Sequence, residues 1–253
     1  KEKEVDRMKT EFISITSHQL RTPLSSMKWF LEMLLNNDAG EMPEKQRGIV
    51  NDVYTSNERI ITLVNDLLDV SRIEAGKMQN EPTPTNLIEF LKSMLPEAQQ
   101  QFKKRNQVFE FHRPDTLPRV MVDPKLVWQV LSNLLSNASK YTPENGKISF
   151  DLSLHNDAVL CTVTDNGFGI PEFQQHRIFE KFFRADNTAK MEGTGLGMHI
   201  AQQITEAMGG RLWFESSEGK GTTFYLSLPI SNGAQKQEKS VQARGENDIL
   251  PAL

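Results

Sequence analysis

Val50, Val53, Asn57, Ile60, Val64, Leu67 and Ser71 fall alternately three and four residues apart. That spacing is an a/d heptad, which only a long α-helix packed against other helices can use. A second helical stripe precedes it: Val5, Met8, Phe12 and Ile15 share its period, and Leu20, Leu24, Met27, Leu31 and Leu34 continue after one extra residue. Between the stripes lies Asn36-Asn37-Asp38-Ala39-Gly40, polar and turn-forming. Each helix would run for about 30 residues, roughly 45 Å at 1.5 Å per residue. Joined by so short a turn, the two form an antiparallel hairpin. Each still shows an apolar stripe that one partner helix cannot cover, which predicts a dimeric four-helix bundle. The plainer alternative at this point is a structural coiled coil.

Beyond the hairpin the period changes. Residues 76–86 carry two prolines and no periodicity, and 79–86 read as a linker. Residues 87–105 follow as a helix, bent at Pro96, and 107–112 as a strand. Asp123-Pro124 opens another helix, with Asp as N-cap and Pro in the first turn. Residues 147–154 and 158–165 alternate as a hairpin. A helix from about Gly195 to Gly209-Gly210 leads to strands at 211–215 and 222–228. Sheet with helices on one face is an α+β layer. The domains expected are therefore a helical hairpin at 1–78, whose first 15 residues continue as a coiled coil, and an α/β sandwich at 87–231. The polar tail, 232–253, is expected to be disordered.

Composition removes several classes of function. The apolar fraction of 38% and charged fraction of 25% support a packed core. Twenty-nine Lys and Arg against 33 Asp and Glu give a net charge of −4, which argues against nucleic acid as a partner. The single cysteine, Cys161, excludes an internal disulfide and a Cys-rich zinc site. No run approaches the roughly 18 apolar residues of a membrane span. With no initiator Met, the chain reads as a soluble, cytoplasmic fragment without membrane contact, from a parent that could itself be membrane-anchored.

With Leu20 at 0° on a helical wheel, His18 falls at about 160° and Thr22 at about 200°, opposite the apolar stripe. Pro23 sits inside the helix beside them, where it lacks an N–H and its ring crowds the carbonyl of Gln19. On the wheel alone this is a solvated histidine next to a bend. The residues from Phe12 to Leu24, including Ser17-His18-Gln19-Leu20-Arg21-Thr22-Pro23, resemble the H-box of sensor histidine kinases. The resemblance implies that His18 accepts the γ-phosphoryl group of ATP, a role that suits an exposed imidazole. It also implies that Thr22 aligns a water for dephosphorylating the partner. Gln19 departs from the family pattern, which commonly has Glu or Asp there. A glutamine can hydrogen-bond but cannot take a proton.

Four further motifs follow in order, and together they resemble the Bergerat ATP-binding fold of histidine kinases, gyrase-type ATPases and Hsp90-type chaperones. Asn133, Asn137, Lys140 and Tyr141 match the N-box. Three of them, Asn133, Asn137 and Lys140, lie at i, i+4 and i+7 on one helix face, so Asn137 could give an amide oxygen to Mg²⁺ and Lys140 an ammonium to phosphate. Asp165-Asn166-Gly167-Phe168-Gly169 matches the G1 box, and the resemblance puts the Asp165 carboxylate on the adenine amino group. Residues 178–184 match the F-box, with Arg184 toward a phosphate. Gly193-Thr194-Gly195-Leu196-Gly197 matches the G2 box at a helix start, a ready phosphate site. Thr222 closes a last glycine-rich turn, and Asp186 to Lys190 are polar enough for a lid.

These features imply the catalytic core of a sensor histidine kinase, using ATP and Mg²⁺, acting as a homodimer and passing its phosphoryl group to a response-regulator receiver domain. Two rivals remain. Gln19 favours a nucleotide-binding scaffold or a phosphatase-biased module. A Bergerat-fold ATPase would need an acid in the N-box helix, where Asn133 stands.

Overall fold

The computed structural model describes residues 2–188, 191 and 193–230, with the backbone alone for 2–15 and 18. The expected coiled-coil side chains of 5–15, the tail at 232–253 and the side chain of His18 therefore lie outside the described residues. So do Ala189 and Lys190 of the expected lid.

Helix α1 (Glu2–Leu35) and helix α2 (Glu44–Glu74) form the predicted hairpin. The turn is closed by left-handed Asn37 and Gly40 and by Arg47, whose Nη1 donates to the Leu35 carbonyl at 2.7 Å. That guanidinium satisfies one of the carbonyls a helix end leaves bare. Leu24, Val64 and Leu68 are buried. Leu20, Met27, Val53 and Ile60 of the same stripes are each more than 40% exposed. A single partner helix covers only one side of each stripe. Buried Asn57 donates through Nδ2 to the Leu24 carbonyl at 3.0 Å, one residue past Pro23. Arg21 Nη2 donates to Asn65 Oδ1 at 2.9 Å.

Strand β1 (Thr83–Thr85) lies within the stretch read as linker and pairs antiparallel with β3 (Val120–Val122). Helix α3 (Leu87–Lys104) starts at Asn86, whose side chain accepts from the backbone of Ile88 and Glu89. Helix α4 (Pro124–Tyr141) starts at the predicted Asp123 cap. Strands β2 (Val108–His112), β4 (Lys147–His155), β5 (Ala158–Asp165), β6 (Arg211–Ser217) and β7 (Gly221–Pro229) form one mixed sheet in the order β2-β4-β5-β7-β6. Only the β2–β4 pair is parallel. Helix α5 (Gly197–Ala207) completes the elements. The core combines Leu87, Leu91 and Phe102 of α3 with Val127, Leu131 and Leu134 of α4. Their counterparts on the sheet are Phe150, Cys161 and Leu226. Alternation in β5 places Val159, Cys161, Val163 and Asp165 on the buried side, and that period carries a carboxylate to the inner end of the strand.

The chain divides into two units, one of Lys1–Gln79 with His176–Gln203 and the other of Asn80–Gln175 with Ile204–Leu253.

Candidate nucleotide and phospho-acceptor sites

Within the second unit, Asp165 is a buried polar residue of the predicted set. It is 7% exposed. Its Oδ1 accepts from the Gly167 amide at 2.8 Å and from the Thr222 amide at 3.3 Å. Among the described residues both hydrogen bonds that it accepts fall on Oδ1, so Oδ2 keeps its capacity for an incoming donor. Burial pushes the carboxyl up to about 6, and the two amides oppose that shift. Gly221 permits the arrangement. It has φ 103°, and an added Cβ would overlap the Asp165 carbonyl oxygen.

Ser216 and Gln175 strap the loop after Asp165, and neither was predicted. Ser216 Oγ accepts from the Ile170 amide at 2.9 Å and lies 2.9 Å from Thr222 Oγ1. Gln175 Nε2 donates to the carbonyls of Ile170 and Ser216, each at 3.1 Å. The Phe168 amide donates to the Tyr141 carbonyl at 3.1 Å, which ties the Gly167–Gly169 loop to the end of α4.

Asn133, Asn137 and Lys140 share the half-buried face of α4, opposite Leu131, Leu134 and Leu135. Lys140 Nζ donates to the Tyr141 hydroxyl at 2.9 Å. The carbonyls at the end of this helix are held by two residues that motif reading passed over. Arg105 Nη1 donates to Ser139 and Lys140 at 2.6 and 3.1 Å. Buried Gln107 donates through Nε2 to Ser139 and Thr142, each at 2.8 Å, and accepts from Ser139 Oγ at 2.8 Å. Only their distance in sequence hid them, since a glutamine before a strand carries no signal of its own.

Among the described residues no group of three or more His, Cys, Asp or Glu could hold a metal ion. A lone amide oxygen such as that of Asn137 fits Mg²⁺, which keeps several waters and takes phosphate oxygens.

In the first unit, Gly193, Thr194, Gly195 and Leu196 lead into α5, whose first residue is Gly197. The Leu196 amide donates to Thr194 Oγ1 at 3.2 Å, and that hydroxyl donates to Asp66 Oδ2 at 2.6 Å. Gly195 has φ 73°, and an added Cβ would stand 2.7 Å from the Phe182 carbonyl carbon. Arg184 Nη2 donates to the Thr188 carbonyl at 3.3 Å. Phe182, within the stretch that matches the F-box, is 62% exposed and holds φ 62°. Asp186–Thr188 make a short 3₁₀ turn. Gln19 and Thr22 are exposed on α1. His18 is on the same helix, four residues before Thr22 and five before Pro23.

This assembly is a histidine-bearing helical hairpin followed by an ATPase-type α/β sandwich, and comparison with known proteins agrees. Residues 8–76 match the His Kinase A (phospho-acceptor) domain. Residues 122–232 match the histidine kinase-, DNA gyrase B- and HSP90-like ATPase domain. Sensor histidine kinase WalK of Bacillus subtilis is 35% identical over 232 residues, covering 90% of this chain. The match spans 38% of that protein's length. Full-length ShkA in complex with AMPPNP superposes with a TM-score of 0.72 at 26% identity, over 88% of this chain and 46% of that one. Histidine kinase ThkA in complex with the response regulator TrrA superposes with a TM-score of 0.62 at 27% identity, over 87% of this chain and 61% of that one. The chain belongs to the sensor histidine kinase family of two-component systems.

Proposed function

We propose that this chain transfers the γ-phosphoryl group of ATP to His18 and then to an aspartate of a response-regulator receiver domain. The observation that carries the reading is Asp165, a buried carboxylate with Oδ2 open to a donor, at the strand end where an adenine amino group would enter. The AMPPNP and response-regulator complexes of the two structural relatives support the same nucleotide and partner classes.

In this reading Asp165 selects adenine through its amino group, while Gly167 and Gly169 let the backbone approach the ring. Thr222 orients the carboxylate through its amide. Lys140, Arg184, and the Gly193, Thr194, Gly195 and Leu196 backbone meet the phosphates, with Asn133 and Tyr141 completing the N-box face. Asn137 would hold Mg²⁺, and the ion when bound would supply charge neutralisation at the phosphates. A neutral imidazole nitrogen of His18 gives its lone pair to the γ-phosphorus, and the bond to the bridging oxygen breaks, releasing ADP. The proton on the other ring nitrogen must then leave. Gln19 can accept a hydrogen bond from that N–H and orient the ring, but it cannot remove the proton. General-base assistance contributes about 10²–10⁴-fold, so the transfer runs slower than with a carboxylate at this position.

Gln19 also favours a second reading, in which the chain acts chiefly as a phosphatase, with Thr22 aligning water against the phosphorylated receiver.

Incubation with γ-labelled ATP and Mg²⁺ tests both. Acid-labile label on the chain, absent from His18→Gln and faster in Gln19→Glu, is the expected result. Label only in Gln19→Glu would favour the phosphatase reading. Absence of label in every variant would overturn the kinase.

A further inference from the structure

The glycine loop ahead of α5 already meets an acidic side chain, and that side chain belongs to α2. Thr194 Oγ1 donates to Asp66 Oδ2 at 2.6 Å, two residues before the helix N-cap carbonyl of Leu196 begins the α5 ladder. Backbone N–H groups and the positive end of the dipole favour negative charge at such a place. Asp66 is half-buried there, and burial together with neighbouring Asp69 raises its pKa.

A second contact ties the same segment to the same helix. Lys181 Nζ pairs with Glu74, eight residues and about 12 Å along α2 from Asp66. The two contacts are mechanically linked, because Gly195 lies against the backbone of Phe182, next to Lys181. The segment is therefore pinned at two points by acidic side chains of α2, one of them on the hydroxyl of Thr194, a residue whose backbone is assigned above to nucleotide phosphate.

We propose that the Asp66 carboxylate is an internal competitor for the phosphate-binding loop Gly193-Thr194-Gly195, which an incoming nucleoside triphosphate must displace. The proposal rests on the nucleotide-site reading above and names the residue that limits affinity at that site. A phosphate brings more charge and three acceptor oxygens where Asp66 offers one carboxylate oxygen to Thr194. Affinity is reduced by the fraction of loops that Asp66 occupies. By reciprocity, a nucleotide that takes Thr194 frees α2 from this contact.

The test is calorimetric titration of the full chain and of Asp66→Ala with AMPPNP and Mg²⁺, alongside titration with adenosine followed by NMR. Asp66→Ala is expected to bind AMPPNP roughly three- to tenfold more tightly, with adenosine affinity unchanged, since adenosine has no phosphate to compete. Asp66→Asn, which keeps the side-chain shape, should fall between the two, and it substitutes for the alanine variant should that one fail to fold. Equal AMPPNP affinity in parent and variants would overturn the competition while leaving the nucleotide site standing. So would an equal gain for adenosine, which would mark general loosening. A parent chain that binds neither ligand would overturn the nucleotide reading, and this proposal with it.

Discussion

Asp165, which the proposed function places on adenine, is a carboxylate buried at a cost in stability. Its folded pKa is raised to about 6, so the folded chain keeps the proton to higher pH than the unfolded chain does. Its contribution to stability is therefore fully present below the unfolded value of 3.8 and is lost as pH rises through about 6. The shift corresponds to about 3 kcal/mol in order of magnitude. Asp165→Asn keeps an acceptor for the Gly167 and Thr222 amides and removes the charge. Thermal melts are expected to show the variant more stable than the parent at pH 7.5 and equal to it near pH 4. Nucleotide affinity should move the other way, because an amide NH₂ facing the adenine amino group offers a donor to a donor. In the parent chain, affinity should fall up to about tenfold per pH unit below about 6, as the carboxylate protonates. At the opposite pole is Cys161, fully buried in β5, with its thiol pushed up to about 12 by burial. It should resist thiol reagents at pH 8 in the folded chain and react fully in denaturant.

Both ends of α4 are held by residues outside the helix. The Asp123 cap holds its start, while its last carbonyls depend on Arg105 and Gln107. Gln107→Ala leaves the Ser139 and Thr142 carbonyls and the Ser139 hydroxyl without that partner in a buried place. Denaturant unfolding should register a loss of about 2–3 kcal/mol. Because Lys140 and Tyr141 form the adjoining turn, the same variant should bind AMPPNP more weakly. Asn86→Ala, which removes a cap from α3, should cost about 1 kcal/mol and leave nucleotide affinity unchanged. The contrast separates loss of stability from loss of the site.

At the scale of the molecule, the hairpin leaves Leu20, Met27, Ile49, Val53, Ile60 and Leu63 each more than 40% exposed. Stripes of that length on paired helices need a second pair to cover them, so a homodimer is the expected assembly. Replacing Val53 and Ile60 by Glu removes two apolar side chains from the seam, each contributing about 1.5–3 kcal/mol when buried. Dimer affinity should fall by at least about a hundredfold. Sedimentation equilibrium would read this directly, and a monomeric parent chain would refute the bundle. No helix of the described residues is long and apolar enough to cross a membrane. The chain spans 38% of the length of the curated relative compared above.

Periodicity determined the two hairpin helices and the strands read at 147–154 and 158–165, and cap chemistry determined the start of α4 at Asp123-Pro124. Each of these is a local pattern several residues long, written in side chains that must face one way. The order of the boxes likewise singled out Asp165, the α4 face and the glycine loop before α5 as candidates. The pairing of β1 with β3 was not legible, because three residues are too few to show alternation and the partners are more than thirty residues apart. Neither were Gln107 and Arg105 on the end of α4, Ser216 and Gln175 on the loop after Asp165, or Asp66 on Thr194. Apart from Gln175 on Ile170, five residues away, those contacts join residues from about 30 to 128 positions apart. Sequence determines which segments become helix or strand, since that choice is made over a few turns of chain. Which polar group meets which is decided only when packing brings distant backbone together and leaves each buried donor and acceptor to find a partner.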